Sequence, residues 1–149
     1  MLKRTSSNNK DFIELVTLLD AELKERDGIE HSFFAQFNKI DNIKHVVVYY
    51  NNEIPVASGA IKEYDSQTME IKRMFVMPTF RGKGIASNVL KELEDWSKEL
   101  GFNKCILETG LRQPEAIALY KKNNFEVIPN YGQYINVKNS VCFQKDLTQ

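Results

Sequence analysis

The stretch FVMPTFRGKGIASNVLKELEDW, from Phe75 to Trp96, decides how the chain is built. It starts as an extended apolar run that ends at Pro78. A loop with Arg81, Gly82, Lys83 and Gly84 follows. A helix pattern then opens with no acidic residue until Glu92. Its apolar face is Ile85, Val89, Leu93, Trp96 and Leu100, at helical spacing, and Gly101 closes it. A helix start leaves N–H groups unpaired and carries partial positive charge. Two glycines let the backbone curl close to an anion, and two cations add charge at the rim. The physical reading is a phosphate or pyrophosphate cradle.

Three nucleotide-type patterns compete for this loop. The Walker A loop requires Ser or Thr after its Gly-Lys, but Lys83 is followed by Gly84. The dinucleotide fingerprint requires a third glycine where Ser87 stands. The pattern Arg/Gln-x-x-Gly-x-Gly/Ala fits at Arg81, Gly84 and Ala86. A glycine-rich turn with a solvated Arg-Lys pair is the alternative, so the neighbouring segments carry the decision.

Upstream, residues 2–5 suggest a short strand. Ser7 or Asn8 can cap a helix with Phe12, Val16, Leu19 and Leu23 on one face, ending at Asp27-Gly28. Residues 30–38, with Phe33, Phe34 and Phe37, suggest a second helix. His45 to Tyr50, Ile54 to Tyr64 and Met69 to Met77 are β-branched and aromatic runs split by Asn51-Asn52 and Asp65-Ser66-Gln67, which predicts an antiparallel meander. Downstream, Lys104 to Glu108 predicts a buried strand. Pro114 starts a helix that Asn123-Asn124 ends. Phe125 to Ile128 and Val141 to Lys145 are late strands around the loop NYGQY. Strand, glycine loop, helix, strand implies a parallel pair with a right-handed crossover. The fold class is therefore mixed α/β (α+β): a mostly antiparallel sheet of six to seven strands with about four flanking helices.

Bulk properties narrow the function. The chain has 149 residues, expected to form a single domain over 1–149. With 20 Lys plus Arg against 20 Asp plus Glu it has no basic excess, which argues against a general nucleic-acid binder. No apolar run approaches the roughly 20 residues that span a bilayer, and no signal peptide is read. Cys105 and Cys142 lie in separate apolar runs, which fits buried thiols and a cytoplasmic location. His31 and His45 are isolated, and no metal site is expected.

The segments EIKRMFVMPTFRGKGIA, LEDWSKELGF, ILETG and QPEAIALYKKNNF, in that order, resemble the GNAT superfamily of acyl-CoA-dependent N-acetyltransferases, most densely from Glu70 to Phe125. Asn124 departs from the usual glycine. The resemblance implies acetyl-CoA as donor, with coenzyme A as product and an amine as acceptor. The pantetheine arm would lie where Met69–Met77 splays from Lys104–Glu108, pairing with Phe75, Val76 and Met77 like an added strand. Amides of residues 81–87 (Arg81, Gly82, Lys83, Gly84, Ile85, Ala86 and Ser87) would hold the pyrophosphate, and Gln113 stands where the family often has a cofactor-contacting Asn. Tyr120 is the position that protonates the leaving sulfur, and the resemblance also suggests a homodimer.

Acetyl transfer needs a neutral amine, a donor for the developing oxyanion and a proton for the thiolate. Glu70 can serve as base or ammonium anchor, with Lys72 and Met74 on its face if the strand is regular. The Val76 N–H is a candidate oxyanion donor. Glu108, at the carboxyl end of its strand, points toward the ligand crevice. Tyr131 and Tyr134 could wall the acceptor pocket, with His31, Phe34 and Phe37 opposite. Glu70 and Glu108 together favour a cationic acceptor. A small amine is preferred as acceptor. The alternatives are a peptide or protein amine and a non-catalytic acyl-CoA sensor.

Overall fold

The computed structural model describes residues 1–27 and 43–148. The helix expected over 30–38, with His31, Phe34 and Phe37, lies outside the described residues. Seven strands form one sheet: β1 (Leu2–Thr5), β2 (His45–Asn51), β3 (Ile54–Asp65), β4 (Thr68–Val76), β5 (Lys104–Gly110), β6 (Glu126–Ile128) and β7 (Ser140–Asp146). The order across the sheet is β1-β2-β3-β4-β5-β7-β6. Among the described residues only β4 and β5 are parallel; every other pair is antiparallel. The described helices are α1 (Lys10–Asp27), α2 (Ile85–Glu99) and α3 (Pro114–Lys122), three where about four were expected along the whole chain.

Each face of the sheet has its own core. Phe12, Leu15, Val16 and Leu19 of α1 pack on Val46, Val48, Ala60 and Phe75. On the other face Ile85, Val89, Leu90 and Leu93 of α2 pack with Val47, Ile61, Ile71 and Leu107. Burial of such side chains contributes about 1.5–3 kcal/mol each. Gly59 of β3 is demanded by this packing: a Cβ there would sit 2.6 Å from Met74 Sδ and 2.8 Å from Leu93 Cδ1. The cap of α1 differs from expectation. Asn9, not Ser7 or Asn8, accepts the Phe12 N–H at 3.0 Å, satisfying one helix-start donor.

Two irregularities in β4 open the site. Pairing with β5 covers only Thr68–Lys104, Met69–Cys105 and Glu70–Ile106, after which the strands part. Against β3 the register jumps from Ala60–Lys72 to Ser58–Phe75, a bulge whose residue Arg73 has φ +61°. The left-handed region costs a non-glycine residue roughly 1 kcal/mol or more. The bulge also breaks the expected alternation. Lys72 stays with Glu70, but Met74 turns to the α2 face, beside Gly59.

Candidate active site

The parted strands, the glycine loop, α1 and α3 enclose a cavity of about 550 Å³. Its walls include Glu70, Phe75, Val76, Arg81, Gly82, Gly84, Ile85, Ala86, Ser87, Glu108, Gln113, Tyr120 and Tyr134. Met77, Lys83 and Tyr131, also expected at the site, are not in those walls.

At one end lies the glycine loop. A single 3-10 turn, Pro78–Phe80, brings the chain off β4, and Gly82 and Gly84 take φ of +78° and +80°. Gly84 is the N-cap of α2, and no side chain caps that helix. The first backbone bond of the turn is Asn88 N–H to the Gly84 carbonyl at 3.1 Å. No N–H from Gly82 to Ser87 bonds another backbone group among the described residues. The loop therefore presents a row of open donors at a positive helix end, which is what an oligophosphate requires. Both cations of the loop also make contacts within the protein. Arg81 donates from Nε to the Val76 carbonyl at 2.8 Å and from Nη2 to Glu22 at 2.8 Å. Lys83 Nζ lies 5.4 Å from the centre of the Phe80 ring. The open donors are backbone.

Along β4 the backbone directions are set. Met77 donates its N–H to the Val56 carbonyl at 2.8 Å, so it faces β3 and not the gap, contrary to the expectation of pairing there. The preceding N–H, of Val76, points to the opposite side of the strand, into the gap. Gln113 is buried, accepts from Arg26 Nη1 at 3.0 Å, and keeps an unpartnered Nε2 in the cavity wall.

The ionisable groups stand at the other end. Glu70 is 9% exposed. Its Oε2 accepts from the Tyr131 hydroxyl at 2.6 Å and its Oε1 lies 3.6 Å from Lys72 Nζ. Tyr131 is thereby tied to Glu70 and lines a smaller neighbouring cavity, with its ring edge-on to Tyr64 and Tyr134. Burial, then the Glu70 charge, pushes the Tyr131 phenol up, so it remains a donor. Glu108 accepts from Ser140 Oγ at 2.6 Å. Tyr120, on α3, is buried against Phe125 and Phe143, and its hydroxyl bonds no described residue. Burial, then the Glu108 charge, raises its pKa, so it holds its proton well above neutrality. The α3 end is fixed by Asn124 at φ +70°, a conformation asparagine tolerates where glycine is usual.

Sequence reasoning missed Arg73, Asp20, Glu22 and Arg26. Arg73 is buried and donates from Nη1 to Asp20 of α1 at 2.9 Å. Arg26 holds Gln113 and Glu115. A β-bulge has no periodic signature, so Arg73 could not be placed from spacing.

A carboxylate, a phenol, open amides and a splayed strand pair thus share one cavity. The family profile of the Acetyltransferase (GNAT) family matches residues 12–125. A relative from Azospirillum brasilense named IAA acetyltransferase is 43% identical over 136 residues, covering 89% of this chain and 88% of its own. Among solved structures, the PaiA N-acetyltransferase of Thermoplasma acidophilum in complex with coenzyme A superposes with a TM-score of 0.71 at 17% identity, covering 98% of this chain and 99% of that one. A GNAT family acetyltransferase of Elizabethkingia anophelis with acetyl-CoA bound gives 0.60 at 19% identity, over 68% and 75% of the two chains. The chain belongs to the GNAT family of acetyltransferases.

Proposed function

We propose that the protein transfers the acetyl group of acetyl-CoA directly to the primary amine of a small molecule, with both substrates bound together. The observation that carries this reading is the row of open N–H groups from Gly82 to Ser87 in the same cavity as Glu70 and Tyr120. The fold likeness to proteins with coenzyme A or acetyl-CoA bound supports the choice of donor.

The residues present fit the donor. The amides of 82–87 suit its pyrophosphate, the gap beyond Glu70–Ile106 suits its pantetheine arm, and Gln113 Nε2 supplies an unused donor. Bound acetyl-CoA supplies an activated acyl carbon and a thiolate leaving group. Glu70 takes the proton that frees the amine lone pair. The Val76 N–H donates to the carbonyl oxygen as negative charge gathers there. Tyr120 gives its proton to the departing sulfur; its raised pKa keeps that proton available at neutral pH. Tyr131 and Lys72 hold the Glu70 carboxylate from both oxygens and so fix its orientation.

Release of free thiol from acetyl-CoA, measured across amine, polyamine, amino-acid and peptide acceptors, tests the reading. Amine-dependent release that falls at least about tenfold in Glu70→Gln and Tyr120→Phe is expected. Binding of acetyl-CoA without release for any acceptor would favour a sensor.

A further inference from the structure

One connection donates to two carboxylates of the cavity wall, Glu70 and Glu108. Residues 129–139 join β6 to β7, a longer span than the about two to five residues of an ordinary hairpin loop. Within it Tyr131 donates to Glu70 at 2.6 Å, and Tyr134 is buried in the cavity wall. At its end Ser140, the first residue of β7, donates to Glu108 at 2.6 Å. A long loop that meets the site at three points requires something to hold its path.

Local turns supply part of that. The N–H groups of Tyr134, Val137 and Ser140 bond the carbonyls of Tyr131, Tyr134 and Val137 at 2.9, 3.0 and 3.1 Å. Each such bond fixes one turn without joining the start of the loop to its end. Asn130 joins them. Its Nδ2 donates to the Val137 carbonyl at 3.1 Å and to the Ser140 carbonyl at 3.2 Å, 7 and 10 positions on. The last ladder pair of the two strands is Ile128–Cys142, so the Asn130 amide continues the pairing by side chain where the backbone ladder has stopped. A bond between the Tyr131 backbone and the Cys142 sulfur adds to it, though sulfur is a weak acceptor. Tyr131 directly follows Asn130 in the chain. Its 2.6 Å bond to Glu70 has little slack, since a shift of about 1 Å takes a hydroxyl out of hydrogen-bond reach.

We propose that Asn130 is a positioning residue for acetyl transfer: it clasps the β6–β7 connection so that the Tyr131 hydroxyl meets Glu70, and it acts on turnover through that phenol. This rests on the reading of Glu70 as the base. Asn130 itself stands outside the cavity walls. The role requires its two amide protons. Asp has the same shape and neither proton, and Ala has neither the shape nor the protons.

The experiment makes Asn130→Ala and Asn130→Asp alone and together with Tyr131→Phe. In each single Asn130 variant kcat falls about fivefold or more while the acetyl-CoA Kd holds within about twofold. In the Tyr131→Phe background the same changes cost less than about twofold. A second readout is independent of turnover. With ring-labelled tyrosine, carbon NMR follows the Tyr131 Cζ, assigned by its loss in Tyr131→Phe, and Glu70→Ala marks the position of the phenol without its acceptor. Both Asn130 variants move the Tyr131 signal toward that position. Should one of them not fold, the other still decides. An unmoved signal overturns the clasp, as does a moved signal with kcat unchanged. A fall in kcat that is as large with Tyr131→Phe present as without it marks general loosening and overturns the proposal too, and so does an unchanged kcat in Tyr131→Phe alone. A moved signal in a protein that acetylates no amine leaves the clasp standing and overturns the transferase reading instead.

Discussion

Replacing Glu70 by Gln removes the proposed base while leaving its shape. The Gln carbonyl can still accept from the Tyr131 hydroxyl that now donates to Oε2 at 2.6 Å. Lys72 loses its carboxylate, but the pair is loose at 3.6 Å and Lys72 borders the cavity. The stability cost therefore stays below the roughly 3–5 kcal/mol of a broken tight buried pair. Catalysis suffers more. General-base assistance contributes about 10²–10⁴-fold, or about 3–5 kcal/mol of barrier at about 1.4 kcal/mol per decade. The assay is initial-rate thiol release at fixed acetyl-CoA, with kcat and amine KM taken from pH 6 to 10. At neutral pH kcat falls by roughly 10²-fold or more while the Kd for acetyl-CoA holds within about twofold. The deficit shrinks as pH approaches the amine's own pKa, because the amine then arrives neutral. An effect confined to KM would assign Glu70 to anchoring the ammonium. Unchanged kcat/KM at neutral pH would refute the role altogether.

Tyr120→Phe lowers kcat by about 10²-fold. Because burial raises the Tyr120 pKa, its acid form is fully present at neutral pH and is lost only above the ordinary tyrosine value of about 10; a fall in kcat below about pH 9 that vanishes in Tyr120→Phe would contradict this. Gly59→Ala places a methyl 2.6 Å from Met74 Sδ, and thermal unfolding should show about 1–3 kcal/mol lost, with acetyl-CoA affinity kept in the folded fraction. Gly84→Ala meets no neighbour within 4 Å, so its cost is the φ of +80° alone, about 1–2 kcal/mol; calorimetry should show weaker acetyl-CoA binding as the loop relaxes. The Cys105 and Cys142 thiols, both buried and pushed up to about 11, should stay unreactive to an aromatic disulfide reagent at pH 8 until the chain unfolds.

Much of the architecture was legible because it follows regular periods. The β-branched meander, the four-three steps of α2 and the lone parallel pair are each repeating signals, and the structure has them. The glycine loop was legible because only glycine takes the φ of Gly82 and Gly84 at no cost. What escaped was aperiodic. Arg73 enters the site by a bulge, which turned Met74 away from the face expected for it. The backbone sense of Met77 depends on its partner Val56, across the sheet. Arg81 looked like added charge at the phosphate loop, but its length lets it reach the nearby Val76 carbonyl and also Glu22 on α1, 59 positions away in the chain. Tyr131 was placed near the acceptor, yet its bond to Glu70 joins residues 61 positions apart. Such pairings belong to tertiary structure, and local composition carries no trace of them.

The central claim is direct transfer with both substrates bound, and two-substrate initial-rate kinetics tests it most directly. Thiol release is measured over a grid of acetyl-CoA and amine concentrations and plotted in double-reciprocal form. The account predicts intersecting lines and no thiol release in the absence of amine. Parallel lines, with a burst of free thiol and an acetylated protein before any amine is added, would contradict it.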